Sequence, residues 1–237
     1  MQRVALVAGG TGDIGQSICR ELHGAGFRVA VGYATARELA EALASSFSGM
    51  SIVLRPDEEP DEAVRRVAAR YGRLDILVNA AGINLEDSAP AMRFDDWQKV
   101  IDTNLGFAFR LTQAAMPHML PARYGRIVHL SSIAGRAGGR GQIGYAVAKA
   151  GLERMIRVFA LEVGRKGVTV NGVSPGVIIS RMSKRVREAH EKELLDHIAC
   201  RRFGTPEEVA CAVAFLVSEG AGYINGAILP VDGGMLL

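Results

Sequence analysis

The sequence is poor in the residues that build stapled, metal-bound or membrane-spanning folds. It has three cysteines, five histidines and one tryptophan. Cys19, Cys200 and Cys211 are odd in number and lack metal or redox spacing, so reduced thiols are expected and a disulfide scaffold is excluded. The histidines are scattered, with no HExxH-like or i,i+4 pair, so no metal site is expected. Charge of one sign is also missing. The net charge is +3, and the nearest basic run, Arg181 to Arg187, is interrupted by Met182, Ser183 and Val186. That balance leaves no nucleic-acid footprint. No apolar run is long enough to cross a bilayer, and a strand beginning at Val4 leaves no room for a signal sequence. A cytoplasmic chain without membrane contact is expected.

What is present reads as one α/β domain over residues 1–237. Strand-like apolar runs at Val4–Ala8, Arg28–Tyr33, Met50–Leu54, Asp75–Val78, Arg126–Leu130, Val168–Val173 and Ala227–Val231 alternate with helical segments. The helices are predicted at Ile14–Ala25, Glu38–Ser45, Asp61–Tyr71, Phe94–Leu120, Gly144–Arg165 and Pro206–Ser218. Thr205 is the expected N-cap of the last, with Pro206 in its first turn. Strands that are apolar throughout belong in a sheet covered by helices on both faces. Repeated strand–helix–strand units imply right-handed crossovers and an open, mostly parallel sheet.

The first strand runs into Ala8-Gly9-Gly10-Thr11-Gly12-Asp13-Ile14-Gly15 and then a helix. Glycines there permit a tight turn and let backbone N–H groups approach a pyrophosphate at the positive helix end. Two spacings fit, Gly10-x-Gly12-x-x-Gly15 and Gly9-x3-Asp13-x-Gly15. A carboxylate at Asp13 is read as the helix N-cap. The second strand ends in Gly32-Tyr33-Ala34-Thr35-Ala36-Arg37, with no acid for a ribose 2′-hydroxyl and one nearby Arg. That favours NADP(H) over NAD(H), unless Arg37 is only a solvated helix residue.

Tyr145-Ala-Val-Ala-Lys149 places a phenol and an ammonium one helical turn apart on one face. A fixed cation at contact range favours the phenolate and suits the hydroxyl for general acid–base work. Taken alone, the spacing also describes an ordinary surface contact. Ser132 lies thirteen residues upstream of the tyrosine.

Taken together, these motifs resemble the short-chain dehydrogenase/reductase family along nearly the whole chain. The matching stretches are Gly9–Gly15, Asp75-Ile-Leu-Val-Asn79-Ala80-Ala81-Gly82, Asn104, Ser131-Ser132, Tyr145-x3-Lys149, Asn171, Pro175-Gly176 and Val231-Asp232-Gly233-Gly234. Within the family the chain is most similar to 3-oxoacyl-(acyl-carrier-protein) reductases. The resemblance implies a Rossmann fold, a doubly wound seven-stranded sheet, with a substrate lid at about 178–203. It implies Tyr145 as proton donor and Lys149 as the group that lowers its pKa and binds the nicotinamide ribose. Ser132 would polarise the substrate carbonyl, and Asn104 would shape its helix and carry a water linking Lys149 to solvent. NADPH is the implied cofactor, with NADH the alternative. Asn79 and Gly82, with Ala80 and Ala81, would line its adenosine ribose side, and Asp57 would meet the adenine amino group. Ile178 and Ser180, after Pro175-Gly176, would meet the carboxamide and phosphates.

The chain departs from the family pattern at Ala8 for a Thr, Asn79-Ala80 for a paired Asn, and Asp13 for a Gly. These concern cofactor grip rather than proton transfer. Acyl-carrier proteins are acidic, and the resemblance assigns Arg123 and Lys166 to docking at the mouth, with coenzyme A thioesters as related substrates. Arg181, Lys184, Arg185 and Arg187 fall in the expected lid. The resemblance implies a homotetramer packed through the helices of Asn104 and Tyr145, and the apolar residues there (Phe107, Phe109, Leu111; Leu152, Met155, Ile156, Phe159) are consistent with it. The alternative substrate is a small free alcohol or ketone, steroid, sugar or polyketide. A catalytically dead dinucleotide-binding regulator would be expected to have lost Tyr145, Lys149 or Ser132, and all three are present.

Overall fold

A computed structural model describes residues 2–237. Its centre is a sheet of seven strands: β1 (Val4–Ala8), β2 (Arg28–Tyr33), β3 (Met50–Val53), β4 (Ile76–Asn79), β5 (Gly125–Leu130), β6 (Val168–Pro175) and β7 (Ile228–Val231). Their order across the sheet is β3-β2-β1-β4-β5-β6-β7. Every neighbouring pair is parallel, so the sheet expected to be mostly parallel is wholly so.

The strands can be apolar at consecutive positions because each face has its own helical cover. On one face Leu6 and Leu77 pack with Val64 and Val67 of α3 (Asp61–Tyr71), Phe107 and Leu111 of α5 (Phe107–Ala122), and Leu152 and Ile156 of α6 (Ile143–Val163). On the other, Val7 and Val31 pack with Ile18 and Leu22 of α1 (Asp13–Gly24), Leu43 of α2 (Arg37–Ser46) and Val213 of α8 (Pro206–Val217). Each fully buried side chain of this size contributes about 1.5–3 kcal/mol relative to exposure. The chain winds outward from β1 in one direction and from β4 in the other. Loops after those strands therefore diverge and open a crevice over their carboxyl ends.

Two local details follow from single side chains. Thr205 caps α8 as expected: its Oγ1 accepts from the Glu208 N–H at 3.4 Å, and the Glu208 carboxylate accepts from the Thr205 N–H at 2.9 Å. The helix expected to run unbroken from Phe94 to Leu120 is instead split. A π turn at Asp102–Gly106 separates α4 (Phe94–Ile101) from α5. Asn104 sits in that turn, and its side-chain Nδ2 donates to the Val100 carbonyl at 2.8 Å. The side chain thus takes the acceptor an α-helical backbone N–H would use, which accounts for the widened turn. The remaining long helix, α7 (Lys184–His197), lies in the segment after β6 and is broken at His190. No helix among the described residues is long and apolar enough to cross a membrane.

Candidate active site

The sequence motifs meet at the carboxyl ends of the strands. The glycine turn follows β1, Asn79–Gly82 follows β4, Ser132 follows β5, and Pro175-Gly176 closes β6. They border a cleft of about 370 Å³, walled by Ser132, Tyr145, Lys149 and Gly82 and covered by Ser180, Met182 and Leu194 from the segment after β6.

Tyr145 and Lys149 lie one turn apart near the start of α6. Lys149 is 3% exposed, its Nζ is 5.5 Å from the Tyr145 ring centre, and it donates to the Leu130 carbonyl at 2.7 Å. Burial lowers its pKa to about 8. Desolvation in the cleft pushes the Tyr145 phenol up, and its hydrogen bond with Ser132 pulls the other way. This differs from the expectation that Lys149 sets the tyrosine pKa. The ammonium is held against the Leu130 carbonyl, and burial outweighs other influences on the phenol. A phenol kept protonated is the form that donates a proton. Because the Lys149 ammonium is lost as the pH rises through about 8, any turnover that depends on it should decline above that value in a pH–rate profile. An undiminished rate at high pH would remove the ammonium from the reaction.

Ser132 is held by its own loop. Its Oγ accepts from the Ala134 N–H at 3.2 Å and caps the short turn Ile133–Gly135. Glu153, which the sequence did not single out, braces that loop against α6. It is buried, accepts from Ser131 Oγ at 3.0 Å and faces Arg136 Nε at 3.3 Å. Its position one turn beyond Lys149, on the same face, was the available signal.

Asn104 is fully buried, with Nδ2 bonded to Ile83 and Val100 carbonyls and Oδ1 buried without a protein partner. A Cβ on Gly82 would stand 2.7 Å from that Oδ1 and 3.5 Å from Lys149 Nζ, so glycine lets the three groups converge.

The glycine turn is shaped by close approach. A Cβ on Gly15 would lie 2.1 Å from the Gly9 carbonyl, whereas one on Gly12 meets only that oxygen, at 3.3 Å. Gly12, not Asp13, is the N-cap of α1, and Asp13 is the first helical residue without a capping bond. That corrects the N-cap reading. The carboxylate is taken by Arg181, through the backbone N–H at 2.6 Å and Nε at 2.9 Å. The N–H groups of Asp13, Ile14 and Gly15 find no backbone acceptor.

At the end of β2, beside Tyr33, Ala34 and Thr35, Arg37 is exposed and paired with Glu41 at 2.7 Å. Arg55, unremarked in the sequence, reaches the same corner: its Nε lies 3.5 Å from the Ala34 carbonyl. Asn79 is buried, and its Oδ1 accepts from the Ala81 N–H at 3.2 Å, so it folds its own loop. Asp57 is exposed on the turn after β3, outside the cleft lining. Ile178 is buried and bridged to Gly204, and Ser180 shares a hydroxyl contact with Ser183 at 3.2 Å.

Arg123 and Lys166 are not brought to the mouth. They immediately precede β5 and β6, at the amino ends of parallel strands, whereas the cleft lies at the carboxyl ends. Within one subunit the sheet separates them from it. Of the apolar residues expected at subunit contacts, Phe107, Leu111, Leu152 and Ile156 are core, while Phe109 is exposed.

The family model described as enoyl-(acyl carrier protein) reductase matches residues 9–236. The 3-oxoacyl-(acyl-carrier-protein) reductase FabG of Pseudomonas aeruginosa is 39% identical over 99% of this chain and 98% of its own length. Its namesake in Staphylococcus epidermidis is 38% identical over the whole of both chains. Among solved structures, a gluconate 5-dehydrogenase from Burkholderia cenocepacia in complex with NADP and tartrate superposes with TM-score 0.95. It is 28% identical, over 100% of this chain and 96% of that one. The TT0495 protein from Thermus thermophilus gives TM-score 0.93 at 32% identity, covering 100% and 99%. With these matches spanning the chain, and with the serine, tyrosine and lysine gathered in one cleft, the protein belongs to the short-chain dehydrogenase/reductase family of oxidoreductases.

Proposed function

We propose that the chain uses NADPH to reduce a 3-oxoacyl thioester, borne by acyl-carrier protein or coenzyme A, to the 3-hydroxyacyl thioester. The observation that carries this is the gathering of Ser132, Tyr145 and Lys149 on the wall of one cleft that is also lined by Ile14 of the glycine turn and by Gly82. The relatives named for that reaction, at 38–39% identity, support the substrate class.

A dinucleotide fits what is present. Gly12 offers an open face beside free N–H groups at the start of α1, and Gly82 leaves room beside Lys149. Gly9–Gly15 would take the pyrophosphate, Asn79–Gly82 the adenosine ribose, Lys149 the nicotinamide ribose, and Pro175, Gly176, Ile178 and Ser180 the nicotinamide side. Asp57 would lie toward the adenine. When bound, the nicotinamide supplies the hydride. Ser132 and Tyr145 then hold the substrate carbonyl oxygen, and Tyr145 gives it a proton as negative charge develops there. Lys149, held against the Leu130 carbonyl, would lead the proton back to Tyr145, and the unpartnered Asn104 Oδ1 would accept from a water that links Lys149 to solvent. The segment 178–203 acts as the lid.

The absence of an acid after Tyr33, with Arg37 and Arg55 nearby, supports NADPH over NADH. Replacing both arginines by alanine should raise the KM for NADPH about tenfold and leave that for NADH nearly unchanged. Equal effects on the two would remove them from the choice. Exposed Phe109, Val158 and Leu161 on α5 and α6 support assembly into a homotetramer. In such an assembly Arg123 and Lys166 would serve carrier docking only at a neighbouring subunit's mouth. Three unbridged cysteines suit the cytoplasm.

The second reading, reduction or oxidation of a small free ketone or alcohol, is favoured by the gluconate dehydrogenase among the structural neighbours. Cofactor oxidation against acetoacetyl-carrier protein, acetoacetyl-coenzyme A, a crotonyl thioester and a panel of free ketones separates the readings. The thioester ketones should turn over fastest. Free-ketone turnover far above them would transfer the assignment to the second reading.

A further inference from the structure

Asp13 poses an electrostatic difficulty for any dinucleotide site. Its carboxylate is attached to the first residue of α1, beside the N–H groups expected to receive pyrophosphate. An unpaired carboxylate there would repel the phosphates at close range. The structure answers this from the far end of the chain. Arg181, in the segment after β6, engages both Asp13 oxygens, one with its backbone N–H at 2.6 Å and the other with Nε at 2.9 Å. Its Nη2 also donates to the Thr11 carbonyl at 3.2 Å, so the guanidinium lies along the glycine turn itself. Nη1 has no partner among the described residues, and the side chain is 70% exposed.

The contact also has a fixed mechanical setting. On its N-terminal side Ile178 is buried and bridged to Gly204. On its C-terminal side Ser183 Oγ bonds to the Ile178 carbonyl and Arg187 Nε donates to Ser183 at 3.0 Å. Arg181 therefore projects from a short knotted turn rather than a loose loop. Neighbouring Ser180, Met182, Ser183 and Val186 line the cleft. A clasp at Arg181 consequently fixes the wall of the substrate space as well.

We propose that Arg181 and Asp13 form a clasp that converts the misplaced acid into a holder for a cation. Asp13 orients the guanidinium over the glycine turn, and the free Nη1 edge of Arg181 takes a pyrophosphate oxygen, closing the lid as the dinucleotide binds. Arginine suits both tasks because its planar fork can satisfy a carboxylate and a phosphate at once. In this account Asp13 acts only through Arg181: it positions the guanidinium and would oppose binding if left alone. This rests on the dinucleotide-dependent function proposed above.

The two roles make opposite predictions for single and double variants, with dissociation constants for NADPH and NADH read from quenching of the single Trp97 or from calorimetry. Arg181→Ala exposes the acid and should weaken both dinucleotides by about 10–30-fold. Adding Asp13→Gly to Arg181→Ala should recover most of that loss, although it removes a second polar group. Asp13→Gly alone should change affinity by no more than about threefold. A parent-like melting temperature for Arg181→Ala shows that its loss is one of binding rather than of folding. The clasp is overturned if Arg181→Ala binds like the parent protein, or if the double variant is no better than Arg181→Ala. A rise in substrate KM with unchanged dinucleotide affinity would likewise reduce Arg181 to a structural strut. Should the parent protein bind neither dinucleotide, the functional reading falls, and the clasp with it.

Discussion

Replacing Tyr145 by phenylalanine is expected to lower kcat by about 10²–10⁴-fold, the usual worth of a positioned general acid. The ring would still fill its place in the cleft, and the change removes one hydroxyl from the wall it shares with Ser132. The phenol contributes its proton only as charge develops on the substrate oxygen, so its loss should fall chiefly on kcat, with a smaller rise in substrate KM from the lost carbonyl contact and no change in cofactor affinity. Ser132→Ala should fall in the same direction but less far. Ser132 Oγ already accepts from the Ala134 N–H, so part of its role is to hold its own loop. A Tyr145→Phe protein turning over at the parent rate would require a different proton donor.

Gly15→Ala is expected to act by another route, on the fold and on cofactor binding rather than on proton transfer. The added Cβ would sit 2.1 Å from the Gly9 carbonyl and 2.9 Å from Gly10 Cα, both backbone atoms with no rotamer to change. Overpacking of this kind costs about 1–3 kcal/mol, and relief would have to come from opening the glycine turn. Both a lower Tm and a dinucleotide affinity weakened more than about tenfold should follow, since the N–H groups would leave their common focus. Gly12→Ala, whose Cβ meets only one oxygen at 3.3 Å, should fold normally and act on binding alone. Equal melting temperatures for Gly15→Ala and the parent would contradict the packing argument.

Much of this was legible because the relevant chemistry is local. Tyr145 and Lys149 are one helical turn apart, and the glycine turn directly joins a strand to a helix. Continuous apolar strands announced a sheet covered on both faces. What escaped depends on contacts that sequence distance hides. Arg181 reaches Asp13 across 168 positions, and Arg55 approaches Ala34 across 21. The π turn at Asn104 depends on one side-chain hydrogen bond to Val100, which hydrophobic periodicity does not register. Arg123 and Lys166 precede strands that the sequence already marks as parallel, so their place at the amino ends was legible, and the resemblance, which carries positions without the assembly around them, misdirected them. The apolar residues of α5 and α6 misled for a related reason. A helix packed in the core and one packed on a neighbouring subunit have the same periodicity.

The most direct test of the central claim follows one atom. The protein is incubated with acetoacetyl-carrier protein and NADPH carrying deuterium at its transferable position, and the product is analysed by mass spectrometry. The product should be a 3-hydroxybutyryl thioester bearing that deuterium on the carbon of the former ketone, with the new hydroxyl proton drawn from solvent. Unlabelled product, or unchanged acetoacetyl thioester beside rapid reduction of a free ketone, would contradict that claim.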